Sequence, residues 1–544
     1  MASSPSTPTG ASATRPGAIT RTDPHHPPTT QEDTLATTPP GLPDRIQHYI
    51  DGALVDSANG ETFDVIEPTT NQPYITCASG QQADVDAAVA AATKAFDSGP
   101  WPRMLPRQRA AILNKIADEV SALNDGLAAI ESFDSGLPIR QARGQANRAA
   151  ENFRFFADLI VAQVDGAFKM PGRQINYVNR KPMGVAGLIT PWNTPFMQES
   201  WKLAPALASG CTVVLKPAEF TPVSAQLWAG IMERAGVPEG VFNIVHGFGE
   251  SAGDALVKHP DVPLISFTGE LGTGKIIYGN CARHMKHMSL ELGGKSPAIV
   301  FADADVEAAL DSTLFGVFSL NGERCTASSR ILVERPIYDR FVAAYAERAS
   351  RIVVGPPSDP DTEIAALVHP EHYRKVTEYI EIGKSEARLV AGGSRPEHLS
   401  KGNYVQATVF ADVPPTARIF QEEIFGPVVA ITPFDTEEEA IRLANDVEYG
   451  LAAYVWTNDV ARAHNVAGAI ESGMVWINSH NVRDLRTPFG GVKGSGLGHE
   501  GGYRSLDFYT VQQSVHVRLG DVHTTRFGAT GYADGDLGLG GPSA

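Results

Sequence analysis

The chain has 544 residues, more than one hydrophobic core usually serves, so two or more domains are expected. With 42% hydrophobic and 20% charged residues it has the composition of a soluble globular enzyme, and no apolar run approaches the roughly 18 residues of a membrane span. A net charge of −17 argues against nucleic acid or an anionic membrane as partner, and four cysteines (Cys77, Cys211, Cys281 and Cys325) are too few for a disulfide framework, which fits a reducing, cytoplasmic setting.

Residues 1–43 are rich in Ser, Thr, Pro, Ala and Gly and poor in large apolar side chains, so they are expected to form a disordered tail. They contain no apolar core of a secretory signal; Arg15 and Arg21 leave a transit peptide as the alternative to a dispensable tail. Globular character begins near Ile46. Asp84 can cap a helix carrying Val85, Ala88, Val89 and Ala92, and a longer helix would place Ile112, Leu113, Ile116, Val120, Leu123 and Leu127 on one face.

A strand–helix alternation follows. Val185–Ile189, Thr212–Lys216, Val241–Val245, Leu264–Phe267 and His287–Glu291 read as buried strands. Met197–Ser209, Pro222–Ala235, Glu250–His259 and Gly272–Ala282 read as the helices between them. That rhythm predicts an α/β fold with a parallel sheet covered on both faces, whose ligands bind beyond the carboxyl ends of the strands. A second alternation runs from Pro297–Phe301 through a helix at Val306–Phe318 to a strand at Arg330–Val333. Cys325 falls in the turn before that strand, where its own N–H can serve as an oxyanion donor.

Cys325 lies in Asn321-Gly322-Glu323-Arg324-Cys325-Thr326-Ala327. A lone cysteine is often a small core residue, but these neighbours are polar, and the Arg324 cation would lower the thiol pKa. Glu291 precedes Gly293-Gly294, glycines that let another group approach the backbone; a salt-bridged surface carboxylate is the alternative. Asn193 sits between two prolines in Thr190-Pro191-Trp192-Asn193-Thr194-Pro195, an irregular loop after a strand that could also be a simple Asx turn. At the end of a strand, Lys216-Pro217-Ala218-Glu219 offers a carboxylate to a ribose diol and would repel a 2′-phosphate, favouring NAD over NADP. Phe267-Thr268-Gly269-Glu270-Leu271-Gly272-Thr273-Gly274 passes from strand into helix, a seat for a pyrophosphate. Cys281, His284 and His287 have ligand types suited to zinc, but one helix end and one strand could hardly aim all three at one ion, so no metal site is expected.

Together these blocks, with Glu422-Glu423-Ile424-Phe425-Gly426-Pro427 and Gly490-Gly491-Val492-Lys493-Gly494-Ser495-Gly496, resemble the NAD(P)-dependent aldehyde dehydrogenase superfamily over about residues 46–520. The resemblance implies an α/β fold with a Rossmann-like cofactor domain (44–160 and 182–293), a catalytic domain (294–500), a β-hairpin oligomerisation arm (161–181 and 501–520) and a C-terminal tail (521–544). It implies a nucleophile at Cys325, a water-activating base at Glu291, an oxyanion-holding amide at Asn193, and a proton relay through Lys202 and Glu500. It also implies cofactor contacts at Trp192, Lys216, Glu219, Gly269, Gly274, Leu292, Glu423 and Phe425. Glu270 departs from the pattern, since a small residue is usual there. For each lone charge an ordinary ion pair is the alternative.

Phe318–Cys325 and Asn481–Gly491 look like one branch of that superfamily, the 5-carboxymethyl-2-hydroxymuconate semialdehyde dehydrogenases of aromatic-acid (homoprotocatechuate) breakdown. That implies an anionic aldehyde held by Arg483, Arg486 and Arg324, with Trp201 nearby. One or both of Arg483 and Arg486 could instead make internal salt bridges, for example with Asp484. Sister enzymes for 2-hydroxymuconic, succinic or betaine aldehyde are alternatives, and a non-catalytic structural protein is a further one. A homodimer or homotetramer is expected from the exposed edges of the arm.

Overall fold

In a computed structural model, which describes residues 41–171 and 173–520 together with Pro39 and Gly528, five parallel strands form the centre of an eight-stranded sheet. In spatial order these are Phe242–Ile244, Thr212–Lys216, Val185–Ile189, Leu264–Thr268 and His287–Glu291. The tails expected over 1–43 and 521–544 lie outside the described residues, apart from Pro39, residues 41–43 and Gly528. Every residue of Val185–Ile189 and Thr212–Lys216 is buried, as a parallel sheet with helices on both faces requires. The strand order reverses between Val185–Ile189 and Leu264–Thr268, and the crevice beyond their carboxyl ends is where ligands bind on such sheets.

The connecting helices have sequence-encoded ends. Pro195–Ser209 opens with proline, whose missing N–H costs nothing in the first turn, and stops at Gly210 with φ 92°. Three expectations are corrected. The long helix breaks at Leu123 into Pro106–Ala122 and Asn124–Ser135, so Leu127 belongs to the second piece. Glu250–His259 is a wide turn at Gly249–Gly253 followed by a short helix at Asp254–Lys258. Asp84 is not the cap but a residue of the first turn of Gln82–Asp97, its carboxylate accepting from the Gln81 and Ala58 N–H groups, each at 2.8 Å. The 24-residue helix Ile139–Ala162 was not anticipated, and it contributes Arg148 to the cavity described below.

A second sheet runs in the order Arg388–Ala391, Thr408–Ala411, Val428–Phe434, Arg330–Glu334, Pro297–Val300, Ala452–Trp456 and Met474–Ile477. All its neighbours are parallel except the first pair. A third, three-stranded sheet pairs Gln174–Pro182 with Ala167–Met170 on one side and Thr510–Arg518 on the other. One late segment crosses to the first sheet: Gly496–Leu497 pairs antiparallel with its edge strand, setting Gly496 opposite Glu291. Among the described residues no helix is long and apolar enough to cross a membrane.

Candidate active site

Cys325 is held by an unusual stretch of backbone. The helix Val306–Phe318 ends in a tight turn over Ser319–Gly322, in which Leu320 and Asn321 take φ of 55° and 57°. Asparagine tolerates that conformation, and its side chain pins the turn. The Asn321 amide donates to the carbonyls of Gly136 and Ala366, each at 3.0 Å, and its oxygen accepts from the Ala365 N–H at 2.8 Å. Gly322 follows with φ 75°, and a Cβ there would lie 2.2 Å from the carbonyl carbon of Gly426. This clamp presents Cys325 half-buried, whereas Cys77, Cys211 and Cys281 are buried.

Two further groups converge on it. A Cβ on Gly294 would meet the Cys325 carbonyl oxygen at 2.5 Å, and one on Gly293 would meet Glu423 Oε2 at 2.1 Å. Glu423 Oε1 also accepts from the Gly294 N–H at 2.8 Å. The paired glycines therefore let the strand carrying Glu291 come against both the cysteine loop and Glu423. The Asn193 amide donates to the Glu323 carbonyl at 2.8 Å, two residues before the cysteine, which leaves its second N–H for another acceptor. Among the described residues the Cys325 N–H has no hydrogen-bond partner. Burial pushes the thiol up to about 12, with Glu423 and Glu291 adding to the rise. Arg324 and the Thr326 N–H oppose it, so the lowering expected from Arg324 exists but is outweighed.

Glu291 is 3% exposed, and neither of its oxygens has a partner among the described residues. Burial, then Glu500, holds its carboxyl well above the usual range, against Lys202 and Arg483. A buried carboxyl without partners is costly unless a ligand or water satisfies it. Lys202 Nζ donates to Glu500 Oε1 at 2.7 Å and to the Ser266 hydroxyl at 2.8 Å, and Ser266 donates to the same Glu500 oxygen at 3.0 Å. Lys202 and Glu500 thus meet as an ion pair beside Glu291. Ser266 closes the triangle; it was not anticipated, because nothing in a mid-strand serine signals it.

The cofactor candidates gather at the strand-order reversal. The Gly269 N–H donates to the Glu291 carbonyl at 3.1 Å, and the helix Leu271–Arg283 opens two residues later. The Thr190 and Thr268 hydroxyls, at the carboxyl ends of the two strands flanking the crevice, are buried and unpartnered. A Cβ on Gly274 would lie 2.6 Å from Leu292, so that glycine admits the leucine against the helix. Lys216 Nζ donates to Glu219 Oε2 at 2.9 Å. Burial alone would raise Glu219, but Lys216 outweighs it and holds the carboxyl below its ordinary value. Trp192 meets the Phe425 ring edge-on at 5.3 Å. Phe425 itself has φ 62°, and its carbonyl is held by His372 Nε2 at 2.7 Å. Orphaned hydroxyls, a helix N-terminus and a strand-end carboxylate suit a dinucleotide. Glu270 stands exposed at the cap of that helix, its side chain making no cap hydrogen bond.

A cavity of about 1160 Å³ opens between Ile139–Ala162, Val306–Phe318 and His480–Arg483, and its wall includes Arg324, the residue before Cys325. Six arginines line it: Arg140, Arg148, Arg324, Arg348, Arg351 and Arg483. Arg140 pairs with Glu363 at 3.5 Å, Arg348 with Asp311, and Arg351 with Glu347. Arg148, Arg324 and Arg483 have no carboxylate partner among the described residues. Arg483 lies over Trp201 at 3.5 Å and Phe489 at 4.2 Å, with its Nη2 unpartnered. Arg486 is not part of this group: it is exposed and bonded to Asp484 through contacts at 2.5, 2.9 and 3.0 Å, so the clamp expected of it is corrected. Arg148 lines the cavity instead. Among the described residues no cluster of His, Cys, Asp and Glu could hold a metal ion.

The model of the aldehyde dehydrogenase family matches residues 54–515. The 2-hydroxymuconic semialdehyde dehydrogenase of Pseudomonas sp. strain CF600 is 45% identical over 484 residues, 87% of this chain and 99% of that protein. The 5-carboxymethyl-2-hydroxymuconate semialdehyde dehydrogenase of Escherichia coli is 45% identical over 468 residues, 85% and 98% of the two chains. Among solved structures, HpcC from Thermus thermophilus superposes with a TM-score of 0.87 at 51% identity, covering 89% of this chain and 95% of that one. Betaine aldehyde dehydrogenase from Staphylococcus aureus in complex with NAD+ superposes at 0.85 with 38% identity, covering 88% and 95%.

Proposed function

The chain belongs to the aldehyde dehydrogenase family, and from that premise we propose that it oxidises an anionic semialdehyde of the hydroxymuconate type to its acid, through Cys325 and with NAD as hydride acceptor. Use of a nicotinamide cofactor and of a small aldehyde comes with the membership. The observation that carries the residue assignment is the convergence on Gly293-Gly294: Cys325 and Glu423 pack against them, and the unpartnered carboxyl of Glu291 stands two residues away.

Cys325 adds as thiolate to the carbonyl carbon, and the resulting oxyanion is met by its own N–H and the free N–H of Asn193. When bound, NAD+ would supply the acceptor for the hydride that leaves this carbon, so that Cys325 is left holding the acyl group as a thioester. Glu291 then takes a proton from water as its oxygen adds to the thioester; the acid departs and the thiolate is restored. Lys202 and Glu500, hydrogen-bonded to each other beside Glu291, carry that proton away. Glu423, Phe425, Trp192, Leu292, Lys216 and Glu219, with the Gly269 and Gly274 backbone, would hold the cofactor. Glu219 favours NAD over NADP, because a fixed carboxylate repels a 2′-phosphate.

The anionic substrate is supported by three cavity arginines without carboxylates, Arg483 and Arg148 taking its carboxylate over Trp201. Those cations disfavour betaine aldehyde. An intact Cys325, Glu291 and Asn193 disfavours a purely structural role. We further assign residues 44–160 and 182–293 to the cofactor domain, 294–500 to the catalytic domain, and 161–181 with 501–520 to an arm joining subunits. Four free thiols favour a reducing cytoplasm.

The test is an NADH-formation assay with an anionic semialdehyde. Cys325→Ala is expected to lose activity by at least about a thousandfold, and full activity would overturn the nucleophile. Glu291→Gln is expected to give one rapid equivalent of NADH and then slow turnover. Uniform slowing with no burst would remove Glu291 from the hydrolytic step.

A further inference from the structure

In neighbouring parallel strands, residues in register point to the same side of the sheet, and so do residues two apart along one strand. Thr268 is in register with Glu291, and Ser266 with Ser289. Ser266 therefore shares a sheet face with Glu291, one strand further in. It is fully buried at the centre of Leu264–Thr268, where a serine brings a hydroxyl that must be satisfied. That hydroxyl is committed to two charged groups: it accepts from Lys202 Nζ at 2.8 Å and donates to Glu500 Oε1 at 3.0 Å.

Lys202 and Glu500 already touch, at 2.7 Å. A proton moving between them needs no hydroxyl in its path, so what Ser266 contributes is geometry. Two of the three Lys202 protons are tied within the triangle, and the side chain is fully buried, so the third has only the interior of the site to face. Glu500 is also fixed through its backbone, which exchanges hydrogen bonds with Phe489 at 2.6 and 2.7 Å. An ion pair taken out of water holds well only when further hydrogen bonds satisfy its partners. Among the described residues, Ser266 is the one side chain that bonds both.

We propose that Ser266 is a positioning residue for deacylation, its hydroxyl holding the Lys202 ammonium against Glu500 in the arrangement that sets the Lys202 charge beside Glu291. This rests on the assignment of Glu291 above and extends it to a residue outside every motif. In the step concerned, the oxygen of a water bonds to the acyl carbon and its proton passes to Glu291. The carbon–sulfur bond then breaks, freeing the acid and the Cys325 thiolate. Glu291 must carry charge to take that proton. Burial and then Glu500 oppose the charge, whereas Lys202 and Arg483 favour it. Cys325 feels the Glu291 charge in turn. Tyr509 stands near Glu500, but burial, and then Glu500, hold its phenol well above the ordinary value, so it brings no charge. Arg483 is packed over Trp201 and Phe489 and does not depend on Ser266. Loss of the hydroxyl thus loosens one particular support, the Lys202 charge, and raises the pH at which Glu291 serves as base.

The experiment follows a single turnover of NAD-loaded enzyme with 2-hydroxymuconic semialdehyde as probe. NADH fluorescence reports acylation, and quenched intact mass reports the decay of the acyl group on Cys325. In Ser266→Ala, NADH formation is expected to stay within about twofold of wild type while acyl decay slows by about ten- to hundredfold, the range of a lost bond to a charged group. The rising limb of acyl decay against pH is expected to move to higher pH. Ser266→Cys, which keeps the volume but hydrogen-bonds weakly, is expected to show the same pattern more mildly, and Ser266→Thr, which keeps the hydroxyl, to restore most of the decay rate. Unchanged decay in the Ala or Cys variant overturns the proposal. So does equal slowing of both steps with the pH limb in place, the mark of a residue that only packs. Wild-type enzyme that never carries an acyl group on Cys325 overturns the nucleophile and base assignments themselves, a different result from either.

Discussion

The enclosure that shapes the site around Cys325 opposes the ionisation its chemistry needs. With burial and two carboxylates raising the thiol to about 12, the thiolate fraction of the cofactor-free enzyme at neutral pH is very small and grows tenfold per pH unit below that value. Alkylation of Cys325 by iodoacetamide, measured without cofactor against Cys325→Ala as blank, should therefore accelerate about tenfold per unit from about pH 7 to about pH 10. A plateau near neutrality would show that the thiol is already ionised. Glu291 is shifted in the same direction, by burial and then Glu500, and it adds in turn to the rise of Cys325. Burial thus works against the charged form of both groups.

At the scale of elements, the helix Leu271–Arg283 presents its N-terminus to the crevice, and Glu270 at its cap puts a carboxylate where a pyrophosphate would benefit from the helix dipole. Glu270→Ser is expected to tighten NAD binding by about two- to fivefold in a fluorescence titration, the range set by one charge at a helix end. Unaltered affinity would show that the side chain stays clear of the phosphates. The same elements show what the sequence disclosed and what it withheld. Val185–Ile189 and Thr212–Lys216 are found where expected because continuous apolar runs ending at Pro or turn residues have few other readings. Ile139–Ala162 was missed because its buried stripe is built of Ala142, Ala146, Ala149 and Ala150 and is interrupted by arginines, a weak apolar signal despite Phe153 and Phe156. Cys325, Glu291 and Asn193 could be singled out as candidates because each lies in a compact local block. The arginines were not, since spacing does not reveal which guanidinium folds inward: Asp484 captures Arg486 from two residues away, while Arg148 arrives from a helix with no motif.

For the whole molecule, the three-stranded sheet leaves Phe168, Met170, Tyr177, Val511 and Val517 exposed, with Ala167–Met170 as one open edge. Unpaired edges with apolar side chains favour pairing with another chain. Phe168→Asp combined with Met170→Asp, two residues on one face of that strand, is expected to shift the sedimenting species to a smaller assembly. An unchanged mass would move the subunit contact elsewhere. The crossing of Gly496–Leu497 onto the first sheet has a consequence for synthesis. Cys325 leaves the ribosome long before Gly496, which pairs with the strand of Glu291, and before Glu500, which completes the ion pair with Lys202. An unfinished chain thus carries Cys325 before the strand of Glu291 has its outer neighbour and before Lys202 has its carboxylate, so both are completed only when the last tenth of the chain is made.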